Sequence, residues 1–324
     1  MTRHVLEFVG VSKVYGSRRS GIRVLRDLNV SVAAGETLGI VGESGSGKST
    51  LARLALGMEQ PTTGVVRVDG KSTGRAGAGV GGSAQIVFQD PASSLNPVLE
   101  VVTSVREPLT VSRKFDKAGR TRRADTILDE VRLNDELRHR IPGELSGGQK
   151  QRASIARALA ALPPLVVCDE AVTALDVSVR AQVLNLLRRV REEYNSTLLF
   201  ISHDLSTVAY MSDRILVLYL GKVMEIGTTA SLLRDPAHPY TMTLLSAVPR
   251  MQQGRLRRER IVLGGEAPSI ANPPAGCPFS TRCPIAQDLC RQQEPPLAPL
   301  ANGNSAACHF PHVLGADGRQ GAVA

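Results

Sequence analysis

Residues Gly42, Glu43, Ser44, Gly45, Ser46, Gly47, Lys48 and Ser49, followed by Thr50, constrain this chain more than any other stretch. They match G-x-x-x-x-G-K-[ST] at every fixed position, between a β-branched run at 37–41 and a helical pattern at 48–56. A strand that turns through glycines into a helix points backbone N–H groups inward. The positive helix end adds to them, and together they hold phosphate. Lys48 is placed to reach β- and γ-phosphates, and the Ser49 hydroxyl to ligate Mg²⁺. The competing reading is a glycine-rich turn with no ligand; the complete match in a strand–helix context disfavours it.

Around that loop, short strand-like runs at 5–9, 24–32, 65–68 and 84–88 alternate with helical stretches. The alternation resumes at 165–168, followed by a helix with an apolar face of Val179, Val183, Leu186 and Val190, and then strands at 197–201 and 214–220. This predicts an α/β fold, a mostly parallel sheet flanked by helices. Residues 100–161 are dominated by helical patterns and predict a helical insertion. Six of the thirteen residues at 70–82 are glycine, which predicts a flexible surface loop with no assignable role. Residues 251–324 hold nine of the nineteen prolines and four of the five cysteines, so a separate, loop-rich and coreless appendix is expected, with a frayed tail. The plan is a core of 1–90 and 163–249, a helical subdomain of 91–162, and an extension of 250–324.

The apolar runs are strand-sized, far short of the ~18–20 residues a membrane-spanning helix needs. The N-terminus lacks the apolar stretch of a secretory signal, so a cytosolic chain is expected. The net charge of +9 draws on a run at 113–123, with six Lys/Arg against one Asp, and on Arg255, Arg257, Arg258 and Arg260. With no Trp and 3% aromatics, base stacking is poorly supported, so a solvated or membrane-facing surface is expected rather than a nucleic-acid site.

A phosphate loop needs a second group on the metal side. The run Leu165-Val166-Val167-Cys168 ends in Asp169 and Glu170. Asp169 can hold Mg²⁺ through water, and Glu170 is placed to orient or deprotonate the attacking water. Alone, this would read as an ordinary buried strand ending in a polar turn. Between the two sites lies Leu145-Ser146-Gly147-Gly148-Gln149. In that order, with Gln89, Asp176 and His203, the sequence resembles the ATP-binding cassette (ABC) family.

The resemblance implies a P-loop NTPase (RecA-like) ABC core with a helical subdomain. It makes Tyr15 an adenine-stacking residue, Gln89 a Q-loop residue and Mg²⁺ ligand, and His203 a switch histidine at the γ-phosphate. Asp176 becomes an aspartate crossing a dimer interface. Structural readings compete for two of these: His203 as a surface histidine, and Tyr15 as a half-buried strand residue. Because 145–149 opens a helix (149–162), its N–H groups also suit phosphate, and in the family they close over ATP bound to a partner cassette.

The stretch Val87-Phe88-Gln89-Asp90-Pro91 through Asn96-Pro97 narrows the resemblance to oligopeptide and dipeptide importer ATPases. So do His238-Pro239-Tyr240-Thr241 and Gly276-Cys277-Pro278-Phe279-Ser280-Thr281-Arg282-Cys283-Pro284. It implies an ATP hydrolase powering peptide import. The implied partners are a second, different cassette subunit, two permease subunits and an extracytoplasmic peptide-binding protein. The chain would sit peripherally on the cytoplasmic face of the inner membrane. Ala171-Val172 replaces the Pro-Thr of many relatives, which leaves the phosphate and metal groups in place. Within the same mechanism the solute could be a nickel chelate or another small molecule. A nucleic-acid or ribosome ATPase commonly joins two cassettes in one chain, whereas this chain has one of each motif. A regulatory subunit without activity would lose Glu170, His203 or LSGGQ, and all are present.

Cys277, Cys283, Cys290 and Cys308 are spaced C-x5-C-x6-C-x17-C. Disulfides are not expected in a cytosolic chain. No gap is the C-x2-C of zinc knuckles, and wide loops suit a [4Fe–4S] cluster. A structural zinc and unmetallated thiols remain open, and the importer resemblance favours the cluster. Cys168 reads as a small core residue.

Overall fold

The computed structural model describes residues 3–16, 21–73, 82–112, 114–248, 261 and 268–312. Strands β1 (His4–Tyr15), β2 (Ile22–Ala33) and β3 (Thr37–Val41) precede helix α1 (Lys48–Ala55). Strands β4 (Thr63–Val68), β5 (Lys71–Ser72) and β6 (Ala84–Val87) come next. Then follow α2 (Val101–Ser112), α3 (Lys117–Glu130), α4 (Asp135–Arg138) and α5 (Gly147–Ala160). Alternation returns with β7 (Leu165–Asp169), α6 (Val177–Tyr194), β8 (Thr197–Ile201), α7 (Leu205–Met211), β9 (Arg214–Tyr219) and β10 (Lys222–Thr228). The last elements are α8 (Thr229–Arg234), α9 (Pro239–Ser246), α10 (Asp288–Gln292), β11 (Ala298–Pro299) and β12 (Ser305–Ala306).

The chain groups into two compact units. One comprises Met1–Val9, Asn29–Thr37 and Leu51–Ser202; the other comprises Gly10–Leu28, Leu38–Thr50 and His203–Ala324. In the first unit β6, β7 and β8 run parallel, with Ala84 opposite Leu165 and Leu165 opposite Thr197. The first four residues of β7 are fully buried, which explains their unbroken apolar run, since a central parallel strand is covered on both faces. Helix α6 buries Val183, Leu184, Leu186, Leu187 and Val190; Val179, at the edge of the expected face, is only half-buried. The expected insertion is α2 to α5, packed through Val105 and Leu109, Ile127 and Leu128, and Ile155 and Leu159.

Two expectations for this unit change. The glycine-rich stretch begins as a hairpin, because β5 pairs antiparallel with β4 (Arg67 opposite Ser72); residues 74–81 lie outside the described residues. The basic run is not all solvated surface. Arg123 is 9% exposed and donates to the Leu159 and Ala160 carbonyls, while its guanidinium packs 4.4 Å from the Tyr194 ring centre. Lys114 donates to the Ala161 and Leu162 carbonyls. Both cations donate to carbonyls at the end of α5 and just beyond it, and complement its dipole. Arg255, Arg257, Arg258, Arg260 and the tail from 313 lie outside the described residues.

In the second unit β3 runs parallel to β9, from Leu38 opposite Arg214 to Val41 opposite Val217. β9 turns into β10 through Leu220 and Gly221, both at positive φ (44° and 76°), the conformation a two-residue hairpin requires. The described part of the extension belongs to this unit and adds β12 to β10, with Glu225 opposite Ala306, and then β11. It is not coreless. Phe279 is fully buried against Tyr219 and Tyr240, and Ile285 packs with Met242 of α9. Burying such a ring stabilises by about 1.5–3 kcal/mol. Glu225, fully buried, accepts N–H bonds from Ala237 and His238 at 2.9 Å each, so its carboxylate fixes the entry to α9. His238 then caps α9 by accepting from the Tyr240 N–H, and burial pushes its imidazole down to about 3, so the ring is neutral.

Candidate functional site

The phosphate loop lies in the second unit. β3 delivers the chain to Gly42, and α1 begins at Lys48, so strand, loop and helix follow in the predicted order. Gly45 and Gly47 sit at φ +76° and +106°, a region that penalises side chains. A Cβ on Gly42 would overlap the Leu218 carbonyl, and one on Gly47 would come within 2.9 Å of Leu25 and the Val24 carbonyl. Lys48 is 7% exposed, and its ammonium donates to the Gly42 and Glu43 carbonyls at 2.8 Å each. Ser46 is buried, its hydroxyl has no partner among the described residues, and its carbonyl accepts from the Gly221 N–H of the β9–β10 turn. Ser44, Gly45 and Ser49 are exposed and Thr50 is buried. A buried lysine that donates to two loop carbonyls and a buried hydroxyl with no partner among the described residues, in a loop of positive-φ glycines, form a donor-rich cradle that fits a polyphosphate.

Tyr15 ends β1 half-buried, its hydroxyl 3.4 Å from Thr50 Oγ1 and the Lys13 ammonium 4.9 Å from its ring centre. His203 is exposed just before α7, which Asp204 caps by accepting from the Ser206 N–H.

The first unit carries Gln89, residues 145–149, Asp169, Glu170 and Asp176. Asp169 ends β7 opposite Ile201 of β8. Glu170 follows at φ +49°, an uncommon conformation for a non-glycine residue. Its N–H donates to the Ile201 carbonyl at 3.0 Å, and its own carbonyl accepts from the Thr173 N–H and hydroxyl. Cys168 is a core thiol, as expected, pushed up to about 12 by burial and by the neighbouring Asp169 charge. Gln89 is exposed beyond β6.

Leu145 is buried as an anchor, while Ser146 and Gly147 are exposed at the start of α5. Sequence reasoning missed a second role of this motif, visible in the S-x-x-Q spacing. Ser146 Oγ accepts from the Gln149 N–H, and Gln149 Oε1 accepts from the Ser146 N–H, a reciprocal capping box. Gly148 has a packing reason as well, because a Cβ there would lie 2.8 Å from a Val179 methyl of α6. Asp176 occupies the N-cap of α6, yet its carboxylate makes no capping bond.

The four extension cysteines line one pocket, with His238, Ile285 and Phe310 among its other walls, and all are free thiols. Cys277 donates its N–H to the Cys290 carbonyl at 2.8 Å. Burial pushes the Cys283 thiol up to about 11 and Cys308 up to about 12, so both are protonated at neutral pH unless a cation holds them as thiolates. Backbone N–H groups already point at the sulfurs: Phe279 and Ser280 at Cys277, Ile285 at Cys283, and Phe310 at Cys308. That donor pattern fits thiolate ligation. Among the described residues, however, no group of three or more His, Cys, Asp or Glu is arranged to hold a metal ion.

With this geometry in place, known proteins give a consistent answer. Residues 25–173 match the ABC transporter family, and residues 224–290 match the oligopeptide/dipeptide transporter C-terminal region. The oligopeptide transport ATP-binding protein AppF of Bacillus subtilis is 43% identical over 315 residues, covering 95% of this chain and 96% of AppF. This chain belongs to the ATP-binding subunits of the oligopeptide/dipeptide class of ABC transporters. The probable peptide ABC transporter ATP-binding protein y4tS of Sinorhizobium fredii is 46% identical, covering 89% of this chain and 82% of y4tS. Among solved structures, the dimeric post-hydrolysis state of the cassette MJ0796 bound to ADP and Pi matches with a TM-score of 0.62 at 30% identity. It covers 69% of this chain and 98% of MJ0796. cbiO1 of Clostridium perfringens, part of the complex cbiONQ, matches with a TM-score of 0.63 at 27% identity, covering 71% of this chain and 90% of cbiO1. The fold is therefore that of an ABC ATPase, the ATP-hydrolysing subunit of a transporter. Among the described residues no helix is long and apolar enough to cross a membrane.

Proposed function

We propose that this cassette powers import of oligopeptides or dipeptides and works as one half of a cassette heterodimer on two permease subunits fed by an extracytoplasmic peptide-binding protein. The reading is carried by the match of both the cassette and the C-terminal region to relatives named for peptide transport. It sits peripherally on the cytoplasmic face of the membrane, held there by the permeases.

Residues 42–49 wrap the phosphates, Lys48 carries its ammonium from the loop carbonyls to the β- and γ-phosphate oxygens, and Tyr15 offers the adenine a ring face. Ser49, Gln89 and Asp169 are the residues that would hold Mg²⁺, which would supply charge neutralisation to the nucleotide's phosphates. Glu170 takes the proton of the attacking water, and its left-handed backbone, fixed by Ile201 and Thr173, sets the direction of the carboxylate. His203 steadies the water and γ-phosphate. Ser146, Gly147 and Gly148 complete the partner's site, and Asp176, whose carboxylate makes no capping bond to α6, reaches across the dimer. Closure around two ATP molecules and reopening after hydrolysis move the permeases. The test is uptake into proteoliposomes of the complex: labelled peptides should be accumulated at the expense of ATP. Uptake of a nickel chelate but of no peptide would replace the solute.

For the extension, the reading is a [4Fe–4S] cluster on Cys277, Cys283, Cys290 and Cys308. The shared pocket and the N–H groups aimed at the sulfurs support it. A single zinc needs all four sulfurs within about 2.3 Å of one point, whereas a cubane spreads its ligands. Anaerobically purified chain should contain about four iron and four sulfide per chain, with broad visible absorbance that bleaches on reduction. Stoichiometric zinc without iron would contradict it.

A further inference from the structure

The loop that opens the phosphate site is held from outside by the C-terminal extension. Arg282 Nη1 donates to both Glu43 carboxylate oxygens, at 3.0 and 2.8 Å, and lies 3.3 Å from the Tyr219 hydroxyl. The Tyr240 hydroxyl accepts from the Glu43 backbone N–H at 3.0 Å. Both holders are themselves fixed. Tyr240 is fully buried, its ring 4.7 Å from Tyr219 and 5.2 Å from Phe279, and the Arg282 N–H donates to the Phe279 carbonyl. From inside the loop, Lys48 donates to the Glu43 carbonyl. Side chain, N–H and carbonyl of Glu43 are therefore each gripped by a different residue.

A carboxylate at the second position of an anion-binding loop opposes the ligand unless it is neutralised, because like charges at short range in a partly buried site repel strongly. The Arg282 side chain is 11% exposed and the Glu43 side chain 30%, so solvent screens the pair only in part. We propose that Arg282, with Tyr240, is a positioning residue for nucleotide: the loop between Cys277 and Cys283 clamps Glu43, and the extension thereby sets the affinity of the cassette for MgATP. The proposal rests on residues 42–49 being the ATP site.

Binding of a fluorescent MgATP derivative to the full-length chain tests it, alongside the thermal unfolding midpoint. Arg282→Met should raise Kd about tenfold, as loss of a charge-assisted contact does, and the defect should shrink at high salt. Arg282→Lys, which keeps the charge, should retain most of the affinity. Adding Glu43→Gln to Arg282→Met should restore binding, because the unpaired carboxylate is gone. Tyr240→Phe should weaken binding with an unfolding midpoint close to that of the wild type. If Arg282→Met binds like the wild type while Lys48→Ala does not bind, the clamp is wrong and the ATP site stands. If Arg282→Met fails to bind and Glu43→Gln does not rescue it, the loss is one of fold and the clamp is again wrong. Wild-type binding by Lys48→Ala would instead overturn the ATP site itself.

Discussion

Glu170, the base of the proposed mechanism, has its backbone set by its neighbours in the chain's own fold. It leaves β7 at φ +49°, and its backbone is tied to Ile201 on one side and Thr173 on the other. Such a conformation costs of order 1–3 kcal/mol and persists where the surroundings enforce it. Replacing the carboxylate with an amide keeps the shape and removes the base. Glu170→Gln should bind MgATP with wild-type affinity, hold the closed dimer, and hydrolyse about 10²–10⁴-fold more slowly; size-exclusion chromatography with bound-nucleotide analysis reads both. Brisk turnover by this variant would remove Glu170 from its role. The position of Glu170 was legible in the sequence, as the second carboxylate after an apolar run. Its backbone was not, since no glycine marks the turn and the strain is imposed by β8.

At the scale of elements, α5 illustrates one motif carrying two demands. Ser146 and Gln149 close a capping box, and Gly148 lets α6 approach. The LSGGQ spacing therefore serves this chain's own packing, in addition to the role at a partner's nucleotide proposed for it. Gly148→Ala should lower stability by about 1–3 kcal/mol, the range for an overpacked contact, and Val179→Ala in the same chain should recover most of it. Denaturant unfolding of the four chains forms the cycle, and additivity would contradict the contact. Strands and helices here were legible because each is a local periodicity: the run 165–168 became β7, and 37–41 became β3 unchanged. Arg123 was misjudged because its partners, Leu159, Ala160 and Tyr194, lie far along the chain, so a dense basic run looked like solvated surface. The extension looked coreless for the same reason. Phe279 finds Tyr219 and Tyr240 only after β9 and α9 have folded.

At the scale of the molecule, two functions assigned to separate segments meet in one compact unit: the phosphate loop and the cysteine-bearing extension. The contact between Glu43 and Arg282 spans 239 residues of sequence, and no spacing rule could have announced it. The ATP motifs were read from the sequence because phosphate binding depends on a short, contiguous loop chemistry. The solute is the opposite case, since in the proposed reading peptide is recognised by other subunits. The most direct test is therefore ATP hydrolysis by the complex in liposomes, supplied with its binding protein and a panel of peptides. The account predicts hydrolysis that rises with peptide-loaded binding protein and vanishes in Glu170→Gln. Hydrolysis that ignores every peptide and rises with a metal chelate or another solute would contradict it.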